Sequence, residues 1–194
     1  RYNADMVVLM LDNNIYGLTK NQTSPTTPQG YTSMTSPKGA HLPALDPLQA
    51  TLGVSNASFV AQTADWVPAH LYATIQAAYD HPGFSFVRIL QRCPKFTHDV
   101  FQKNVENPDL TELLVHEKGV DVPGLAQLFK ASRVHNPKNI DDARALAQRT
   151  DKLRLGIFFR DDDMPTYEQL RAVPKVSAEE KVARLNKEFE RYAV

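Results

Sequence analysis

Six consecutive apolar residues, Met6-Val7-Val8-Leu9-Met10-Leu11, run without a polar residue between them. A strand with one wet face alternates, whereas an unbroken run suits a central strand of a parallel sheet, buried on both faces. The run stops at Asp12-Asn13-Asn14, whose short polar side chains bond nearby backbone and favour turns. Open α/β sheets place ligands at the carboxyl ends of their strands. This turn is therefore the first place to look for chemistry.

The remainder of the pattern agrees with an α/β chain. Asp46-Pro47 opens a short helix over 48–52, with Gly53 as its stop. Phe59-Val60-Ala61 is strand-like. Asp65 is expected to cap a helix in which Val67, Leu71, Ile75 and Tyr79 form a buried stripe. His81-Pro82-Gly83 breaks that helix, and residues 84–90 make another strand. Strands alternating with helices imply a parallel sheet flanked by helices, with right-handed crossovers. After Phe96 the pattern loosens, and 107–138 show no clean period, but 153–159 read as a further strand. Ser177 with Glu180 three residues on is a capping signature. Val182, Leu185 and Phe189 then form one helical stripe of an arm expected to pack on the domain or on a partner. The division expected is a domain over 1–97 and a second region over 98–194.

Composition removes several function classes. Lys+Arg and Asp+Glu are both 22, so the formal net charge is zero, against the basic excess that nucleic-acid backbones demand. A single cysteine excludes an internal disulfide scaffold, and the six histidines are scattered without metal-ligand spacing. No apolar stretch approaches the ~20 residues of a membrane span. The chain opens on Arg1 with no signal-peptide pattern, and is expected to be a soluble, cytoplasmic piece of something larger. Asp161-Asp162-Asp163 reads as a solvated loop, and there is no nucleophile elbow, Walker loop or dinucleotide fingerprint. Residues 17–47, with Pro25, Pro28, Pro37, Pro43 and Pro47 among many Thr and Ser, form a long segment of the kind that is either functional or a linker.

The segment from Asp12 to Thr26 carries the chemistry. An Asn side-chain oxygen at a strand end is a suitable hard ligand for Mg²⁺, and a backbone carbonyl two residues later can join the same ion. Gly17 permits close backbone approach to a phosphate, and Thr19 offers a hydroxyl. The run Asp12-Asn13-Asn14-Ile15-Tyr16-Gly17-Leu18-Thr19-Lys20-Asn21-Gln22-Thr23-Ser24-Pro25-Thr26 resembles the second half of the thiamine-diphosphate motif in the β subunits of 2-oxoacid:ferredoxin oxidoreductases. The likeness continues through Phe59-Val60-Ala61, His81-Pro82-Gly83 and the run from Phe86 to Pro94. It covers 1–97, and more loosely 155–159 with Pro165-Thr166-Tyr167.

The resemblance implies a thiamine-diphosphate-binding fold, of which this chain holds the C-terminal portion. It places Asp12 in the cofactor-binding turn, gives the Asn13 side-chain oxygen and the Ile15 carbonyl to Mg²⁺, and lines the diphosphate and thiazolium with Gly17, Leu18 and Thr19. The family's Gly-Asp-Gly, whose Asp is another Mg²⁺ ligand, does not occur here, so the chain is not expected to hold the cofactor by itself. Cys93, after a strand and before Pro94, resembles the last cysteine of the family's 4Fe–4S cluster, with three further cysteines supplied from elsewhere. Pyruvate-specialised relatives carry Asn-Thr-Gly where this chain has Leu18-Thr19-Lys20. A lysine cation in that pocket favours a second substrate carboxylate, which tilts the substrate toward 2-oxoglutarate. Asn21 stands where many members have Gly.

The implied activity is oxidative decarboxylation of a 2-oxoacid with coenzyme A, electrons passing through the cluster to ferredoxin. An α subunit supplies the group that activates the aminopyrimidine, so an α/β hetero-oligomer is expected. Two alternatives stay open on the residues alone: a cluster-free thiamine-diphosphate decarboxylase or synthase, and a non-catalytic docking subunit.

Overall fold

The computed structural model describes residues 2–54, 57–171 and 176–192. In chain order the elements are β1 (Met6–Asp12), β2 (Ile15–Tyr16), β3 (Gln22–Thr23), α1 (Pro47–Leu52), β4 (Phe59–Ala64), α2 (Pro68–Asp80), β5 (Phe84–Leu90), α3 (Gln102–Glu106), a 3₁₀ turn (Pro108–Leu110), β6 (Thr111–Val115), α4 (Leu125–Leu128), β7 (Ala131–Val134), α5 (Ile140–Gln148), β8 (Leu153–Arg160), α6 (Tyr167–Leu170) and α7 (Ala178–Glu190). Six strands form one sheet in the order β1-β5-β4-β8-β6-β7, and β2 pairs with β3 alone. β1, β5 and β4 are mutually parallel, as are β8, β6 and β7, but β4 and β8 meet antiparallel. The sheet is thus two parallel halves whose carboxyl ends point in opposite directions.

Helices cover both faces. The Asp46 carboxylate accepts the Leu48 and Gln49 amides, Pro47 occupies the first turn, and Gly53 ends α1 as expected. Leu48 and Leu52 of α1, with Ala143 and Leu146 of α5, pack on Val60, Phe86, Leu114 and Phe158. On the opposite face α2 lays Leu71, Ile75 and Ala78 over Phe59, Ala61, Val87 and Ile157. Gly156, at φ 129°, lets β8 come so close to β6 that an added Cβ would sit 2.9 Å from Leu114 Cβ. No helix of the described residues is long and apolar enough to cross a membrane.

The structure departs from the expected pattern at four places. β1 is an edge strand rather than a central one: it pairs with β5 alone, and Met6, Val7, Val8, Leu9 and Leu11 keep exposed surface. Its composition suits burial on both faces, and the described residues supply only one neighbour. Asp65 does not cap α2. Its amide bonds the Leu90 carbonyl, while Val67 takes the cap position and Pro68 the first turn. Of the stripe expected on α2, Val67 is buried and Leu71 and Ile75 pack on the sheet, but Tyr79 turns to solvent, and the fully buried positions of the helix are His70, Thr74 and Ala78. On the buried side Thr63 Oγ1 of β4 lies 2.8 Å from His70 Nδ1, and the Thr74 hydroxyl donates to the His70 carbonyl within the helix at 2.7 Å. Finally, 107–138 contain β6 and β7. Their apolar period is interrupted by Glu112, which faces inward to accept from Arg154 Nε at 2.8 Å and Arg133 Nε at 3.1 Å.

The acidic run is partly structural. Asp162 accepts from His81, Lys118 and Arg160. Burial opposes its ionisation, but hydrogen bonds from Arg160 and Lys118 hold the carboxyl well below the usual range. Ser177 caps α7 as expected, and Val182, Leu185 and Phe189 all remain exposed.

Candidate cofactor turn and cysteine loop

β1 and β5 run parallel and in register to Asp12 and Leu90, so the segments that follow them emerge side by side. The Gln91 amide bonds the Asp12 carbonyl at 3.0 Å and carries the pairing one step past the strand. One segment is the polar turn at 13–17. The other is the loop bearing Cys93.

Asp12 anchors the turn from inside. It is 3% exposed. Its Oδ2 takes Arg88 Nε at 2.8 Å and Nη2 at 2.6 Å, and its Oδ1 takes the Thr26 hydroxyl at 2.6 Å and the Asn14 amide at 3.1 Å. Arg88 Nη1 reaches Gln62 at 3.2 Å. Both carboxylate oxygens are thus engaged within the chain, so Asp12 acts on the turn's shape. The Thr27 hydroxyl donates to the Asn14 carbonyl at 2.6 Å and receives the Ser24 amide at 2.8 Å. The Ser-Pro-Thr-Thr run is therefore the other half of the turn's scaffold, and Ser24, Pro25 and Thr27 of it also line, with residues 40–46, a cavity of about 890 Å³.

Asn13 Oδ1 accepts the Ile15 amide at 3.2 Å, closing a local Asx turn. A carboxamide oxygen has two lone pairs, and one is left. Asn14, at φ 60°, has its Oδ1 buried with no partner. Ile15 buries its side chain and starts the β2–β3 pairing. Beyond Gly17 the turn faces outward: Leu18 is fully exposed, the Thr19 hydroxyl reaches the Tyr16 carbonyl at a long 3.4 Å, and Lys20 lies exposed at φ 70°. Among the described residues Lys20 makes no ion pair.

The two segments touch at Gly17. A Cβ there would stand 2.8 Å from Cys93 Sγ, so a residue with no side chain is what allows the approach. Cys93 is a half-buried free thiol. Its amide donates to Thr97 Oγ1 at 3.0 Å, and the Thr97 hydroxyl donates to the Asn13 carbonyl at 2.9 Å. Tyr31 ties in the long loop by donating to the Phe96 carbonyl at 2.8 Å. Burial, then Asp99 and Cys93, raise its pKa.

These donors fit one wall of a Mg²⁺–diphosphate site. The spare lone pair of Asn13 and the orphaned Asn14 oxygen are hard oxygen donors at a strand end, and the space beside Gly17 is taken by Cys93 Sγ. They do not make a closed site: among the described residues no group of three His, Cys, Asp or Glu could hold a metal. Cys93 likewise offers one thiolate where an iron–sulfur cluster takes four. Sequence reasoning found Asn13, Ile15, Gly17 and Cys93, which the fold brings together. It gave no role to Arg88 or Thr26, though both lie in the runs that carry the resemblance, and it passed over Thr97, which reads as an ordinary loop threonine.

Residues 1–89 match the family model of the thiamine pyrophosphate enzyme C-terminal TPP binding domain, and 126–175 match that of the C-terminal part of the pyruvate ferredoxin oxidoreductase beta subunit. A 2-oxoacid:ferredoxin oxidoreductase subunit beta from Sulfolobus sp is 28% identical over 87% of this chain and 53% of its own length. The 2-oxoglutarate oxidoreductase subunit KorB of Mycobacterium tuberculosis is 37% identical over 52% of this chain and 27% of its own. In fold, the chain is similar to 2-oxoglutarate:ferredoxin oxidoreductase from Magnetococcus marinus, a structure with 2-oxoglutarate, coenzyme A and succinyl-CoA bound. The TM-score is 0.70 and identity 28%, over 95% of this chain and 59% of that one. The chain spans about half the length of the Sulfolobus relative.

Proposed function

From the premise that this chain is related in sequence and fold to the β subunits of 2-oxoacid:ferredoxin oxidoreductases, we propose that it forms the part of such a subunit that seats thiamine diphosphate against an iron–sulfur cluster. The substrate proposed is 2-oxoglutarate, with coenzyme A as acyl acceptor, ferredoxin as electron acceptor and an α subunit as partner in a cytoplasmic hetero-oligomer. When bound, thiamine diphosphate supplies the nucleophile and electron sink for decarboxylation of a 2-oxoacid.

The chain's own residues do the placing. Asn13 gives its side-chain oxygen and Ile15 its carbonyl to Mg²⁺, while Gly17, Leu18 and Thr19 line the diphosphate. Asp12, clamped by Arg88, fixes the direction in which the turn leaves β1. Lys20, exposed and without an ion pair among the described residues, meets the distal carboxylate of the substrate. Cys93 provides one thiolate of a 4Fe–4S cluster, its partners lying outside this chain. The observation that carries the reading is the contact of Cys93 Sγ with Gly17, because it sets a candidate cluster ligand directly against the candidate diphosphate turn.

The test is made on the assembled enzyme. Iron, acid-labile sulfide and thiamine diphosphate should all be present, and 2-oxoglutarate with coenzyme A should reduce ferredoxin. Bound thiamine diphosphate without iron would establish the cluster-free alternative. Absence of both would mean a docking subunit.

A further inference from the structure

Thr97 is 1% exposed and lies outside every element of regular structure. Its hydroxyl has one hydrogen and two lone pairs. The hydrogen goes to the Asn13 carbonyl at 2.9 Å, and a lone pair takes the Cys93 amide at 3.0 Å. Its own amide returns to the Cys93 carbonyl at 3.1 Å, closing the 93–97 turn a second time. The same small side chain therefore holds the backbone of the candidate metal-ligating Asn13 and of the candidate cluster ligand Cys93. Gly17 removes the slack between them, since Cys93 Sγ already occupies the space a Cβ would need.

We propose that Thr97 is a positioning residue that couples the two halves of the site, its hydroxyl setting the separation and relative orientation of the Asn13 turn and the Cys93 thiolate. This rests on the function proposed above. Outer-shell hydrogen bonds of this kind orient ligands, and their loss costs roughly 10–100-fold in metal affinity or activity. Hydrogen bonding around the thiolates also tunes a cluster's potential. One lost hydroxyl should thus move two observables that belong to different cofactors.

The experiment compares Thr97→Val, which keeps the shape and removes both hydroxyl bonds, with Thr97→Ser, which keeps them, in the assembled enzyme. Half-saturation by Mg²⁺ and thiamine diphosphate is followed by calorimetry, and the cluster by its electron paramagnetic resonance spectrum and redox titration. Thr97→Val is expected to retain wild-type iron content, to need about tenfold more Mg²⁺ for half-saturation, and to shift the cluster's potential. Thr97→Ser should restore both. If Thr97→Val does not assemble, Thr97→Ala against Thr97→Ser carries the same comparison. A hydroxyl-free variant in which neither observable moves, or only one, overturns the coupling while leaving the proposed function in place. A wild-type enzyme without iron or without thiamine diphosphate overturns the proposed function, and the coupling with it.

Discussion

Asn13 has tasks in two directions. Its carbonyl is held by Thr97 and its side-chain oxygen by the Ile15 amide, leaving one lone pair of that oxygen unused. Replacing it with Ala removes the side-chain oxygen while the carbonyl bond can persist. Cofactor retention by the assembled enzyme should then need at least about tenfold more Mg²⁺, by analogy with the roughly 10–100-fold losses seen even for outer-shell changes. An unchanged Mg²⁺ titration would remove Asn13 from the site. Lys20 bears on substrate choice. If it pairs with the distal carboxylate of 2-oxoglutarate, Lys20→Ala should cost roughly 1.5–3 kcal/mol, about ten- to a hundredfold in kcat/KM. Turnover of pyruvate, which lacks that carboxylate, should change much less. An equal loss for both substrates would assign Lys20 to the loop.

At the scale of the element, α2 carries a buried polar contact beside its apolar stripe. Its inner face is anchored by His70, buried and bonded to Thr63. Burial lowers the His70 pKa from 6.5 to about 4, so the folded state resists a proton that the unfolded chain accepts. The resulting stability is complete above pH 6.5 and is lost as pH falls toward 4. The slope is about 1.4 kcal/mol per pH unit, or about 3 kcal/mol over the whole window. His116, lowered to about 4 mainly by burial, acts in the same direction. The urea midpoint should therefore fall between pH 7.5 and 5, and His70→Gln should flatten that dependence. A pH slope unaltered by the substitution would place the titration elsewhere.

Across the whole molecule, the antiparallel seam between β4 and β8 divides the sheet into two parallel halves. Only the first half sends its carboxyl ends toward the cofactor turn and the cysteine loop. At the far side of that half, β1 presents an edge unpaired among the described residues, with Val7, Leu9 and Leu11 exposed. Unprotected apolar edges template pairing with other chains. The 194-residue chain by itself is expected to self-associate with rising concentration, as read by sedimentation velocity. The double variant Val7→Lys, Leu9→Lys should suppress this. Association unaltered by the two lysines would place the contact on another surface, such as the exposed stripe of α7.

What the sequence determined by itself is what depends on near neighbours along the chain. The strand stop at Asp12-Asn13-Asn14, the Asp46 and Ser177 caps and the break at His81-Pro82-Gly83 all follow from local backbone chemistry, and the structure keeps them. The tertiary structure alone decided what depends on partners remote in sequence. β1 became an edge because a strand's place is set by its neighbours and not by its own side chains. β6 escaped notice because Glu112 is an acceptable inward residue only once Arg133 and Arg154 reach it. Thr97 reads as an ordinary loop residue until the parallel pairing of β1 with β5 brings Asn13 to its hydroxyl.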